Sequence, residues 1–180
     1  MTKKDSNTKA NILLNLQSDD LKTSRAAINK LRKEGELSDI PGIIAGIRIQ
    51  KRDDIKKDIH NLLCDINIDG AQAFIMDGVS DKKNKSIMKD LLSICWESNL
   101  DFTEYLEVFT SAFINVDYEA SIEAFTIIEK IFMDYDMPDQ KLQKTVQIIR
   151  TSYPKLTDNK KQLALVLLDS LQNLPKKIID

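Results

Sequence analysis

One short spacing of residues returns five times along this chain and constrains its fold more than any other feature. A basic residue, replaced by Ser121 in the fourth copy, is followed three, six and ten positions later by mostly apolar residues. The copies are Arg25-Ile28-Leu31-Gly35, Lys56-Ile59-Leu62-Ile66, Lys85-Met88-Leu91-Cys95, Ser121-Ala124-Ile127-Ile131 and Lys161-Ala164-Leu167-Leu171. Steps of three, three and four residues place these positions on one face of an α-helix. Their central residues recur after 31, 29, 36 and 40 residues, which is typical of repeats built from helix pairs.

Composition favours an all-α chain. Five glycines and four prolines are few for 180 residues, and no stretch alternates apolar and polar residues as a half-buried strand would. An apolar content of 42% can form one sizeable core. We therefore predict a single domain over residues 1–180, an α-α superhelix of about five antiparallel helix pairs.

Capping residues and breaks mark the predicted helices. Ser18 is the expected cap of a helix over 19–33, with Gly35 in a left-handed conformation after its end, and Gly78 is expected to end a later helix early. Pro41 lies in the first turn of the helix that begins at Ser38, where its missing N–H costs nothing. The ten predicted helices cover 8–17, 19–33, 38 onwards, 51–66, 71–79, 82–96, 103–114, 117–133, 139–153 and 158–174.

Part of this pattern resembles the HEAT-repeat family of armadillo-like α-solenoids. Asp19 and Arg25 match the turn aspartate of a HEAT repeat and the arginine six positions later, and Ile40-Pro41-Gly42-Ile43-Ile44 resembles a proline-bearing first helix. The match covers about residues 8–66. In that family such side chains form ladders that hold neighbouring repeats together. The resemblance implies the same structural role for Asp19, Arg25, Lys56, Lys85 and Lys161.

Charge is distributed unevenly and limits the choice of partner. Residues 97–140 contain 11 acidic and one basic side chain, a formal charge of −10, whereas residues 1–60, 61–96 and 141–180 carry +4, −1 and +5. The acidic block would repel a phosphate backbone that ran along the whole chain. Nucleic acid is therefore a disfavoured partner.

The sequence offers no motif for catalysis or for cofactor binding. Its one histidine, His60, is expected to border the buried helix face, and Cys64 follows one helical turn later, a weak indication of a nucleophile and base. Cys64 and Cys95 have no CxxC or Cys/His spacing, so the sequence predicts reduced thiols and no zinc motif. Glycine-rich phosphate loops are also absent. We predict a chain that is not an enzyme, with no catalytic, cofactor-binding or metal-binding residues.

The function that this inventory favours is a protein–protein interaction module in the cytoplasm. Lys57, His60 and Lys89 are the predicted partner-contacting residues, because they flank the ladder positions on the second helices of the pairs. The alternative is a nucleic-acid binding or processing solenoid, similar to HEAT-like DNA glycosylases, that would use a basic face. That face would comprise Arg52, Lys56, Lys57, Lys85 and Lys89.

Two apolar patterns concern packing. Phe102, Tyr105, Phe109 and Phe113 fall on one helical stripe and are predicted to lie in the core. The segment Leu163-Ala164-Leu165-Val166-Leu167-Leu168 is apolar nearly all round, although the last helix of a solenoid should show water a polar face. Either the C-terminal tail folds back over it or a second copy pairs through it as a homodimer. No stretch approaches the length of a membrane span, so no membrane contact is expected.

Overall fold

A computed structural model describes residues 3–174 of the chain, with side chains from residue 9 onwards. It is all-helical, with 81% of residues in helices and no strand within that range. The all-α prediction is therefore confirmed. In the same range, no helix is both long and apolar enough to cross a membrane.

Ten α-helices form the chain between residues 3 and 174, as the sequence predicted, with ends that differ by a few residues. They are α1 (Lys3–Asn15), α2 (Leu21–Glu34), α3 (Ile40–Ile49), α4 (Asp53–Cys64), α5 (Ala71–Ser80), α6 (Met88–Glu97), α7 (Leu106–Asn115), α8 (Tyr118–Asp134), α9 (Asp139–Ser152) and α10 (Asp158–Gln172). Four short 3₁₀ helices precede or follow them, at Leu37–Asp39, Lys82–Ile87, Thr103–Tyr105 and Tyr153–Lys155. The helix predicted over 82–96 thus begins as a 3₁₀ segment.

Packing divides the chain into two compact units, Met1–Leu100 and Asp101–Asp180. In the first unit, α1 packs on α3 and α3 on α5, while α2 packs on α4 and α4 on α6. In the second unit, α7 packs on α9 and α8 on α10. Consecutive helices also pack against each other within each unit, as α3 does on α4 and α7 on α8. This alternation is compatible with a helical-repeat solenoid, while the single domain over 1–180 and the superhelix of five antiparallel pairs stay predictions.

The repeated apolar positions form the core of each unit. In the first unit Ile28, Leu31, Ile59, Leu62, Leu91 and Cys95 are less than 10% exposed, whereas Ile66 and Met88 are only partly buried. In the second unit every apolar position of the spacing is buried, namely Ala124, Ile127, Ile131, Ala164, Leu167 and Leu171. Burial of these side chains drives the helices together, because it removes apolar surface from water at about 25 cal/mol per Å².

The start of α2 corrects one capping prediction. Asp20, not Ser18, is the N-cap, and its carboxylate accepts hydrogen bonds from the Thr23 backbone N–H and hydroxyl at 2.8 and 2.6 Å. These bonds hold the pKa of Asp20 below its ordinary value. The Ser18 hydroxyl instead accepts the backbone N–H of Asp20 at 3.2 Å.

Two glycines serve purposes that differ from those predicted. Gly35 follows α2 with φ of −66° and is therefore not left-handed, but a Cβ there would meet the Leu31 carbonyl oxygen at 2.4 Å. Gly78 does not end α5 early, since that helix continues to Ser80. A Cβ at Gly78 would meet Ile44 of α3 at 2.6 Å, so this glycine allows α3 and α5 to approach closely.

The caps also show that the first copy of the spacing is out of register with the others. Lys56, Ser121 and Lys161 are each the fourth residue after the N-cap of α4, α8 and α10, whereas Arg25 is the fifth after Asp20. The fourth residue of α2 is Ser24. Ser24 and Ser121 are both fully buried, and each hydroxyl oxygen lies within hydrogen-bond distance of the backbone carbonyl of its N-cap aspartate, at 3.1 and 2.7 Å. A buried serine four residues after the N-cap aspartate is therefore common to α2 and α8.

The aromatic stripe lies in the core of the second unit, as predicted. Phe102, Phe109 and Phe113 are at most 3% exposed, and Tyr105 is half-buried. The Phe102 and Phe109 rings meet edge to face, with centroids 6.1 Å apart and planes at 76°. This geometry is the one that aromatic quadrupoles favour.

The apolar face of α10 remains partly open. Leu165 and Val166 are 47% and 58% exposed, while Ala164 and Leu167 beside them are buried. The predicted cover by the C-terminal tail concerns residues 175–180, which lie outside the described part of the chain.

Substitution of Phe109 by Ala tests the core of the second unit. We expect a loss of about 3–5 kcal/mol in the free energy of unfolding, because a fully buried ring leaves a cavity. The adjacent Val108, 38% exposed on the same helix, is the matched control, and V108A should cost less than about 1 kcal/mol. Urea denaturation followed by circular dichroism measures both; equal losses would contradict the proposed core.

Candidate functional site

Helices α2, α4 and α6 lie side by side and exchange polar contacts at a constant offset of 33 residues. The Arg25 guanidinium of α2 donates to the Asp58 carboxylate of α4 at 2.9 Å, and Arg32 pairs with Asp65 at the end of the same two helices. Between α4 and α6, the same offset joins His60 to Ser93 and Cys64 to Glu97. A residue on one helix therefore faces the residue 33 positions later on the next.

The contact between α4 and α6 brings three potential metal ligands together. His60 Nε2 lies 3.7 Å from Cys64 Sγ and 3.7 Å from Glu97 Oε1. Cys64 Sγ lies 4.0 Å from Glu97 Oε2. Over residues 9–174 this is the one group of three or more His, Cys, Asp or Glu side chains whose ligand atoms all fall within 4.8 Å. We call His60, Cys64 and Glu97 the His–Cys–Glu cluster.

Core packing on both helices fixes the position of the cluster. His60 and Cys64 are one turn apart on α4 and directly follow the buried residues Ile59 and Leu63. On α6, Glu97 follows two residues after the buried Cys95. Since the apolar faces are locked against the core, the cluster side chains face each other at the edge of the interface. Their side chains are partly open to solvent, His60 being 17% exposed and Glu97 37%.

Ser93 completes the surroundings of His60. Its hydroxyl oxygen lies 3.2 Å from His60 Nε2 and donates to the Asp90 backbone carbonyl at 3.0 Å. A hydroxyl has one proton, and Ser93 can donate it to the Asp90 carbonyl. This hydrogen bond does not depend on whether His60 Nε2 also contacts Ser93.

The environment of Cys64 gives no support to a nucleophilic thiolate. Burial, and then the neighbouring carboxylates of Glu97 and Asp65, raise the pKa of Cys64 to about 12. Nucleophilic cysteines need the opposite shift, which comes from nearby positive charge. Cys95 is buried, whereas Cys64 is only partly buried, and the reduced state of the two thiols stays a prediction.

The predicted ladder residues occupy different environments. Arg25 contacts the next repeat helix through Asp58, whereas Lys56 and Lys161 pair with Asp53 and Asp158 of their own helices, at 3.6 and 3.4 Å. Lys85 is exposed in the 3₁₀ segment before α6, and Asp19 is exposed ahead of α2. A ladder role for the whole set stays a prediction.

The predicted partner-contacting residues lie on the same two helices as the cluster. Lys57 and Lys89 are exposed, and His60 is largely buried at the cluster. Lys57, His60 and Cys64 follow helical spacing on α4, as do Lys89, Ser93 and Glu97 on α6.

Two members of the alternative basic face are paired with carboxylates. The Arg52 guanidinium donates to both oxygens of Asp54, at 3.1 and 2.9 Å, and Lys56 pairs with Asp53. The hydrogen bond from Arg52 holds the pKa of Asp54 below its ordinary value. These pairs reduce the positive potential that a phosphate would encounter.

Sequence reasoning did not identify Ser93 and Glu97 as neighbours of His60 and Cys64. The indication that could have found them is the constant separation in residue number between facing positions on neighbouring helices. An offset of 33 residues, once known from Arg25–Asp58, places 93 beside 60 and 97 beside 64.

Comparison with known proteins gives no family assignment: no protein-family model, no curated protein and no solved structure matches the chain. Membership of the HEAT family stays a prediction that rests on the residues quoted above.

The Arg25–Asp58 pair is expected to contribute little to the stability of the α2–α4 contact. Both side chains are partly in water, at 51% and 33% exposure, where ion pairs contribute little. We expect a double-mutant cycle of R25A and D58A to give a coupling energy below about 1 kcal/mol. Urea denaturation measures it, and a coupling of several kcal/mol would show that the pair is a main support of the α2–α4 contact.

Proposed function

We propose that the chain is a non-enzymatic HEAT-type α-solenoid that binds a protein partner in the cytoplasm. The proposed binding surface is the polar side of α2, α4 and α6 in the first unit, which we call the α2–α4–α6 face. Its members are exposed or half-exposed residues on these helices: Arg25, Asn29, Arg32, Lys57, Asn61, Lys89 and Glu97.

The observation that carries this proposal is the pairing of positive with negative side chains on and beside this face. Arg25 and Arg32 are paired with Asp58 and Asp65, and Arg52 with Asp54. A surface of alternating sign complements another protein surface better than it complements a uniformly negative phosphate backbone. This favours a protein partner over nucleic acid.

A shallow depression offers a place for a partner side chain. It lies between α2 and α4, has a volume of about 240 Å³, and is lined by Arg25, Ile28, Asn29, Arg32, Asp58 and Asn61. The lining combines two arginines, two amides, one carboxylate and one apolar side chain. Arginine forks and amides provide directional hydrogen bonds at interfaces, which is where specificity arises.

Charge reversal on the α2–α4–α6 face tests the proposal. The tagged chain is captured from lysate of its source with and without nuclease, and co-purifying material is identified. We expect a protein in near-equal amount that survives nuclease. The double variant K57E/K89E should lose it, because both lysines are exposed on the face.

The matched control is K155E, an exposed lysine of the 3₁₀ turn between α9 and α10 in the second unit. It should retain the partner. Loss of all co-purifying material with nuclease, together with binding of labelled DNA that falls steeply between 50 and 200 mM salt, on the order of 10³-fold, would favour the nucleic-acid alternative.

We further propose that a second copy of the chain is a partner, through α10. Leu165 and Val166 supply exposed apolar surface, and Leu165 also borders an open groove between α9 and α10. Multi-angle light scattering at tens of micromolar should give the mass of a dimer, and V166E should give that of a monomer. A monomeric mass for the unmodified chain would contradict pairing through this helix.

A further inference from the structure

The separations within the His–Cys–Glu cluster resemble those around a bound metal ion. In a tetrahedral zinc site with bonds of about 2.0–2.3 Å, neighbouring ligand atoms lie roughly 3.3–3.8 Å apart. The two distances from His60 Nε2 are both 3.7 Å. His60 is nearest Glu97 Oε1, whereas Cys64 Sγ is 4.0 Å from Glu97 Oε2, and with one oxygen chosen the three ligand atoms lie within 4.8 Å of one another. Metal binding therefore requires the partly exposed Glu97 side chain to rotate so that one oxygen approaches both His60 and Cys64.

We propose that His60 Nε2, Cys64 Sγ and a carboxylate oxygen of Glu97 bind one Zn²⁺ ion, or a similar divalent transition-metal ion, between α4 and α6. This proposal does not rest on the interaction function above. On binding, the Cys64 thiol gives its proton to solvent and the thiolate bonds to the metal.

The types of donor select the class of ion. Sulfur and imidazole nitrogen favour zinc and other late transition metals, whereas magnesium and calcium require oxygen donors throughout. Thiolate and carboxylate together carry two negative charges, which a divalent ion neutralises. The site would therefore bind the ion as an uncharged unit at the edge of the packed interface.

The surroundings permit both entry and an additional ligand. His60 and Glu97 are partly exposed, so an ion can reach them from solvent. Ser93 keeps its hydrogen bond to the Asp90 carbonyl when His60 carries its proton on Nδ1, and in that tautomer the His60 Nε2 lone pair is available to the ion. Three protein ligands leave a fourth tetrahedral position for water.

The placement of the ligands also gives the site a mechanical role. His60 and Cys64 are on α4 and Glu97 is at the end of α6, so one ion would join two neighbouring repeat helices. An ion that binds the folded state and not the unfolded chain raises the temperature of unfolding.

Titration of the metal-free chain with Co²⁺ tests the proposal, because a tetrahedral thiolate site has characteristic absorption. We expect one Co²⁺ per chain, with a thiolate-to-cobalt charge-transfer band in the near ultraviolet and intense visible bands. Stoichiometric Zn²⁺ should then displace it. The unmodified chain decides this first point: no spectral change at 100 µM Co²⁺ would overturn the proposal.

Variants assign the ligands. C64S should abolish the charge-transfer band, and H60Q and E97Q should each weaken Zn²⁺ binding by more than about tenfold in calorimetric titration. The matched controls C95A and E104Q change a cysteine and a glutamate outside the cluster and should retain binding. Circular dichroism confirms that each variant is folded. A band that persists in C64S, or is lost equally in C95A, would overturn the assignment.

Discussion

Burial of the repeated apolar faces is the constraint on which the arrangement of the first unit depends. Ile28 and Leu31 of α2, and Ile59 and Leu62 of α4, are fixed against the core, so neither helix can rotate or slide without exposing apolar surface. The polar positions beside them are then held in one register. As a consequence, each residue faces the one 33 positions later, and the exposed ion pairs follow from this register and do not create it.

Much of the fold could be predicted because its determinants are local. Helical spacing, the scarcity of glycine and proline, and the capping residues predicted ten helices, which the structure contains between residues 3 and 174. Details that depend on other helices could not be read in this way. Gly78 looked like a helix end, yet it lies inside α5, where the tip of the Ile44 side chain of α3 approaches it closely. The offset of Arg25 from Lys56 became evident only once the caps were located.

The candidate site was less predictable for a related reason. His60 and Cys64 were recognised as one turn apart on a helix, but a single histidine gave no metal motif. Glu97 lies at the end of α6 and belongs to an acidic run in which no carboxylate stands out. Only the packing of α4 on α6 brings it to 3.7 Å from His60 Nε2. A metal site that spans neighbouring repeats has no short sequence pattern, since its spacing is set by the length of a repeat.

The register of α4 on α6 is the central claim, because the cluster exists only in that register. The most direct measurement is a crystal structure of the zinc-loaded chain with anomalous diffraction recorded at the zinc edge. We expect one strong anomalous peak within about 2.0–2.3 Å of His60 Nε2, Cys64 Sγ and a Glu97 oxygen. Helices α4 and α6 packed in another register, with no peak between them, would contradict it.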